Sequence, residues 1–334
     1  NFEFGGIQIL SDHVHISGLT IANIAVSYIR DNAAIRLTKS DHCTILKNKI
    51  SNAFFGIYLE KSDSNLIQNN HIKGVAKEEA NSGNAIHLWY SNDNLVVNNH
   101  CEGHRDGIYI EFSSDCKMVS NTSMNNIRYG LHFMFSDGNL YELNLFQNNN
   151  AGAAVMYSTD IIMKNNRFIH NWGSASYGLL LKEIKDSRLH GNVFEQNSSA
   201  VYAEGVVRLV VDSNRFYQNG WAMKVRGDCE YITISHNEFM SNTFDMATNS
   251  NNAEHVIAQN FWSSYTGYDL DKDGLGDVPY YPMSLFCYIV ENNPSAVVLI
   301  RSSFIDLLNF AEKITPVITP VSLVDSSPLM RPIL

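Results

Sequence analysis

The chain reads as all-β, a parallel β-solenoid of about ten rungs of ~22 residues followed by a C-terminal apolar helix and tail. Three observations predict this: a recurring asparagine, an apolar series in phase with it, and the placement of proline. Asn48, Asn70, Asn99, Asn121, Asn144, Asn166, Asn192, Asn214, Asn237 and Asn260 differ in number by 22, 29, 22, 23, 22, 26, 22, 23 and 23. Ile35, Ile57, Ile86, Ile108, Leu131, Ala153, Leu179, Val201 and Met223 lengthen their step at the same two places. Two insertions in one repeat explain both pauses. All seven prolines lie after residue 278, as expected if the preceding strands are paired on both sides and every N–H is needed.

A unit this short suits one solenoid coil and not a helical hairpin. Within it, Ile57-Tyr58-Leu59, Ile86-His87-Leu88 and Leu131-His132-Phe133 alternate with the period-two pattern of strands burying one face. A coil cannot cover its own inner face, so coils stack at ~4.8 Å and the asparagines form a ladder of amide hydrogen bonds. Cys43, Asn65, Asn94, Cys116 and Asn139 mark a weaker second ladder at another turn. The insertions Gly74–Asn84 and Trp172–Tyr177 are loops leaving one edge of the rod. The solenoid is expected over 1–265 and a C-terminal extension over 266–334. In that extension Asp269, Asp271, Asp273, Leu275 and Asp277 occupy the ligand positions of a calcium-type loop at 269–277, with glycine at its sixth position. An acidic turn without metal is the alternative. Residues 295–314 read as a helix opening at Ser295, with an apolar face so broad that it must be buried. It either caps the open rod or docks on a partner.

With 45% hydrophobic residues in 334 positions, the chain can bury a large core. Its net charge of −10 argues against nucleic acid and anionic membrane surfaces as partners. The chain opens without methionine and already within the repeat at Gly6-Ile7-Gln8-Ile9. The native start is therefore expected upstream, and the lack of a visible targeting segment decides nothing. Cys43 and Cys116 sit about 14 Å apart by rung spacing, beyond disulfide reach. The five cysteines are expected to be buried free thiols.

Strand alternation also sorts the outward residues into columns. Met134 and Met156 are stacked neighbours, with His132 two residues away on the same face. Two thioethers and an imidazole are soft ligands suited to Cu(I). Tyr58, His87, Trp89, Tyr109 and Glu111 lie on the same outward columns, a stripe expected to meet a partner. Lys182, Glu204 and Arg226 form either a charged ladder or a weak uronate patch. A carbohydrate-active enzyme on this fold needs clustered carboxylates, and no acid–base pair emerges from the columns. No catalytic residue is assigned.

The stretches 105–113 (RDGIYIEFS) and 128–136 (RYGLHFMFS), continued by AVMYS at 154–158 and YGLLLK at 177–182, resemble the NosD family. Its members are periplasmic accessory proteins of nitrous oxide reductase maturation. The likeness extends through Asn260-Phe261-Trp262, the DLDKDGLGD loop and the apolar tail. It implies a right-handed single-stranded parallel β-helix, a non-enzyme in the periplasm, and copper as cargo. It also implies partnership with the ABC transporter subunits NosY and NosF, the copper lipoprotein NosL and the apo-reductase. In that setting Phe304, Ile305 and Leu308 of the apolar helix are expected to dock on the membrane subunit, holding the protein at the inner membrane. A carbohydrate-active β-helix enzyme and a metal-free scaffold are the competing readings.

Overall fold

A computed structural model describes residues 5–26, 31–250, 254–300, 302–314 and 323–333. The chain winds through three parallel sheets of eleven strands each, every third strand being a sheet neighbour. The first sheet runs from Ile7–Ile9 to Phe244–Thr248, the second from His15–Ser17 to Val256–Ala258, and the third from Thr20–Ala22 to Phe261–Trp262. The apolar series is the register of the first sheet, with Ile35, Ile57, Ile86, Ile108, Leu131, Ala153, Leu179, Val201 and Met223 paired in turn. All nine are completely buried. The five cysteines are buried and free.

The asparagine ladder is continuous from Asn48 to Asn260. In each step the amide oxygen accepts the backbone N–H and the Nδ2–H of the asparagine one coil earlier, as from Asn121 to Asn144 at 2.9 and 3.1 Å. The backbone just before these asparagines is left-handed at Asn69, Asn98 and Asn165, so the turn withdraws a peptide from the sheet and the amide satisfies it. A further ladder, unread in the sequence, runs through Asn126, Asn149, Asn171, Asn197, Asn219 and Asn242 at the corner entering the first sheet. Its 22-to-26-residue steps are visible in hindsight.

The C-terminal segment departs from expectation. Helix α1 is Leu285–Asn292, with Ser284 accepting the Cys287 N–H at its start. A 3-10 turn follows over Pro294–Leu299, and α2 is Ser303–Ile314. One helix over 295–314 does not form, because Ile300 is extended at φ −54° and ψ 134° and Val297-Val298 are poor helix formers. The expected burial is also only partial. Ile305 packs with Phe244, Met283, Phe286, Cys287 and Val290, and Leu308 leans on that cluster. Val298, Phe304, Leu307 and Phe310 are exposed. Glu291 of α1 pairs with Lys224 at 2.9 Å and with Arg226, fastening the helix to the side of the rod.

The open end of the rod is closed by neither helix. Asp325 bridges to Ile257, and Leu329 to Phe261. The wholly buried Asp325 carboxylate takes the place of the next ladder asparagine. It accepts from Asn260 N (3.0 Å), Asn260 Nδ2 (3.1 Å), Trp262 Nε1 (2.9 Å), Gln259 N (3.2 Å) and Ser327 N (3.1 Å). Removing it strands these donors in the interior. Asp325→Ala should lower unfolding free energy by about 3 kcal/mol, read from urea denaturation. A loss under about 0.5 kcal/mol, the range of ordinary surface changes, would contradict the capping role.

Candidate metal and partner site

Three outward columns of the first sheet build the site. One carries Arg36, Tyr58, His87, Tyr109, His132 and Ala154, and the next Thr38, Glu60, Trp89, Glu111, Met134 and Met156. The third, at the corner, presents Phe55, Asn84, Asp106 and Tyr129. Met134 and Met156 are direct register partners and half-buried. The hydroxyl of Tyr109 donates to Met134 Sδ at 3.7 Å.

Pointing outward did not leave these side chains exposed. Tyr58, His87, Tyr109 and His132 are buried, whereas Trp89 and Glu111 are half-buried. The reason is the bulk of the corner column. Phe55 packs on Tyr58 and His87, each at 5.3 Å between centroids, and Tyr129 lies 4.8 Å from His132. Arg36 covers Tyr58 at 4.8 Å. The stripe expected to be an open partner surface is therefore a packed layer, and Trp89 and Glu111 are its accessible members.

Beneath this layer lies a polar centre that sequence reasoning missed. Asp106, wholly buried, accepts from Arg128 Nε at 2.9 Å, Arg128 Nη2 at 2.5 Å and Tyr129 N at 3.2 Å. Arg105 Nε is 3.4 Å away. The signal was present: the repeat places Arg105 and Arg128 one coil apart, beside a single aspartate among apolar residues. Arg128 Nη2 also sits 3.3 Å from His132 Nδ1, and Asp106 Oδ2 is 4.0 Å from the same nitrogen. His132 Nε2 is buried without a partner, as are His87 Nε2 and His104 Nε2. Burial, opposed in part by Asp106, brings His132 down to about 4, so the ring is neutral. With its proton on Nδ1 the Nε2 lone pair is free for a soft metal, although Asp106 at 4.0 Å is too far to accept that proton. If Arg128 donates to Nδ1, Nε2 holds the proton and cannot ligate. The residues thus fit a copper ligand set in one of two tautomers.

Other charged groups are engaged internally. Arg36 pairs with Glu60 at 2.7 Å and Lys182 with Glu204 at 3.3 Å. Arg226 is held by Glu291, which favours the charged ladder over a uronate patch. In the acidic loop, Asp269, Asp271 and Asp273 bring carboxylate oxygens within 4.8 Å of one another, the one such His, Cys, Asp or Glu group among the described residues. Backbone donors occupy them: Lys272 N and Gly274 N on Asp269, Asp273 N on Asp271, Leu275 N on Asp273. Asp277 accepts from Leu270 N instead, and Leu275 bridges to Leu329 of the closing segment. On α2, Phe304 is exposed as a docking residue should be. Ile305 and Leu308 face the rod, so the outward apolar positions are Phe304, Leu307 and Phe310. Among the described residues no helix is long and apolar enough to cross a membrane.

The family described as periplasmic copper-binding protein (NosD) matches residues 6–79 and 72–270. A probable ABC transporter binding protein NosD of Pseudomonas aeruginosa is 29% identical over 173 residues, covering 47% of this chain and 40% of that protein. A protein of the same description from Stutzerimonas stutzeri is 26% identical over 196 residues, covering 53% and 44%. The chain thus spans less than half the length of the curated relatives it matches. Among solved structures, the periplasmic alginate epimerase AlgG is similar with a TM-score of 0.56 at 14% identity, over 79% of this chain and 67% of that one. DFA-IIIase from Arthrobacter chlorophenolicus A6 is similar at 0.59 and 11%, over 79% and 83%. At these identities the likeness is one of fold alone.

Burial also governs two imidazoles beside the site. His87 is lowered to about 3, by burial and then by the charge of Arg105, and His104 to about 4 by burial. Both folded values lie below the ordinary 6.5, so the unfolded chain binds more protons in the window from pH 6.5 down to about 4. Stability from these groups is complete above pH 6.5 and is lost as pH falls, by about 1.4 kcal/mol per unit for each. At pH 5, imidazole nitrogen NMR shifts should report both rings neutral. A protonated ring at either position at that pH would show that it is not sealed from water.

Proposed function

This chain belongs to the NosD family of periplasmic copper-binding proteins, and on that footing we propose that it is a non-enzymatic docking platform that receives Cu(I) and passes it on. The donor in this reading is the copper lipoprotein NosL. The recipient is the apo nitrous oxide reductase whose copper–sulfide centre is being assembled. The ABC transporter formed by NosY and NosF couples the exchange to ATP hydrolysis. The periplasmic location follows the family, and attachment at the inner membrane would come through the transporter.

The observation that carries the reading is the register pairing of Met134 with Met156, two residues along the strand from His132, whose Nε2 has no hydrogen-bond partner. Copper here is cargo. Two half-buried thioethers and one buried, neutral imidazole would form a soft ligand set, open only on its methionine side, that discriminates against hard cations. An open set releases its ion more readily than a closed cage, as handover requires. Tyr109, bonded to Met134, and Asp106, close to His132, would orient the ligands. Exposed Phe304, Leu307 and Phe310 on α2 support a second element of the proposal, an apolar face for the membrane subunit.

Two measurements test these elements separately. In anaerobic competition with a Cu(I) chelator, Met134→Ala/Met156→Ala should weaken affinity by about tenfold or more, and equal affinity removes both residues from the site. For the second, the triple variant Phe304→Ser/Leu307→Ser/Phe310→Ser is co-expressed with the transporter subunits. It should keep its Tm, since all three side chains face solvent, and lose co-purification. Full recovery with the transporter would exclude this face.

A further inference from the structure

One turn of eight successive coils, directly after the methionine column, holds a residue with left-handed backbone. In coil order these are Lys39, Lys61, Tyr90, Phe112, Phe135, Tyr157, Glu183 and Gly205, with φ from 48° to 64°. From Lys39 to Glu183 their backbone N–H groups bond the next coil in succession, as from Phe112 to Met134 at 3.1 Å and from Phe135 to Met156 at 3.2 Å. The glycine and the polar residues at either end are what such a turn and a solvent-facing site favour. Bulky aromatic side chains in this conformation are outliers, and here four occupy consecutive coils. They are exposed, by 44, 36, 44 and 41%. Their rings stack at 4.7, 5.2 and 5.0 Å, within 16° of parallel.

Beside this comb runs a second file, Asp93, Asp115, Gly138 and Asp160, which puts an exposed carboxylate on three of the four aromatic coils. Asp137, one position before Gly138, accepts the Thr159 N–H at 2.7 Å. None of these aspartates is in an ion pair among the described residues. The comb is bounded by Lys39 and Lys61 toward the N-terminal coils and by Glu183 toward the C-terminal ones. Ring faces are spent on one another, so the comb offers solvent its edges and suits packing against aliphatic side chains. A sugar seeks a ring face, and a uronate polymer would be repelled by the aspartates.

We propose that the Tyr90–Phe112–Phe135–Tyr157 comb is a docking ridge for an amphipathic protein segment whose apolar stripe is flanked by lysine or arginine. Three rung steps span about 14 Å, the length of about ten helical residues. Carboxylates at the side of the comb pair with the basic flank, and the aromatic edges meet the apolar stripe. None of these residues takes part in the copper reading, so the ridge stands or falls apart from it.

The test uses the whole chain and defined probes in calorimetric titration. These are a 14-residue leucine peptide helix flanked by lysines, the same peptide with glutamate for lysine, and an alginate oligomer. The lysine peptide should bind, more weakly as salt is raised, while the glutamate peptide and alginate should not. Tyr90→Asn/Phe112→Asn/Phe135→Asn/Tyr157→Asn should weaken lysine-peptide binding by about tenfold or more. Its Tm should hold or rise, because asparagine accepts left-handed backbone readily. If that variant proves unstable, Phe112→Lys/Phe135→Lys, which places at the turn the residue type already found at Lys61, serves for the same comparison. Undiminished binding by the variant, preference for the glutamate peptide or alginate, or no binding of the lysine peptide overturns the proposal.

Discussion

From Asn48 to Asn237 the coils answer to one demand: an asparagine buried at a turn must find an amide oxygen one coil further on. A backbone N–H and a side-chain N–H both rely on that oxygen, at 2.8 to 3.1 Å along the ladder. A coil one residue out of step would leave two donors unpaired in the interior, a cost of several kcal/mol. Extra residues are therefore excluded from the strands and accumulate in loops such as 74–84, where they leave the ladder undisturbed. The same demand stacks Phe146, Phe168, Phe194, Phe216, Phe239 and Trp262 ring on ring. It also sets Met134 opposite Met156.

Strict register has a second effect, on the outer surface. Whatever occupies a position in one coil meets its equivalent in the next, so chemistry accumulates in files. The file holding His87, Tyr109 and His132 is sealed by the corner file, and its imidazoles are held neutral. The file holding Trp89, Glu111, Met134 and Met156 is half open. The turn file is fully open. A gradient from sealed to accessible thus crosses one face over a few residues, with the soft sulfurs midway between buried imidazoles and solvent.

Much of this was legible in the sequence because a solenoid turns sequence spacing into spatial adjacency. The numbers 134 and 156 alone place one methionine opposite the other, and the gap between Cys43 and Cys116 rules out a bridge. Exposure was not legible, since it depends on the corner file and not on parity. Tyr58 points outward and is buried because Phe55 leans on it. The Asp106 centre escaped notice because its column changes residue type from coil to coil, so a single aspartate in it leaves no periodic mark. Beyond Trp262 the repeat ends and so does its guidance. The helix break at Ile300 and the rotation of α2 that turns Ile305 inward depend on tertiary contacts that no spacing announces.

Asp325 gives the rod a chemical polarity. An asparagine at the end of the ladder would spend one amide hydrogen on the coil before it, as Asn144 and Asn260 do, and would still carry a second seeking an acceptor, an invitation to the exposed strands of another molecule. A carboxylate accepts and has nothing to donate. The last coil is therefore closed by valence as much as by shape, and the residue that closes it lies 65 positions downstream of the asparagine it serves. Until that segment has folded back, the coil ending at Trp262 presents a live edge; afterwards that edge is closed.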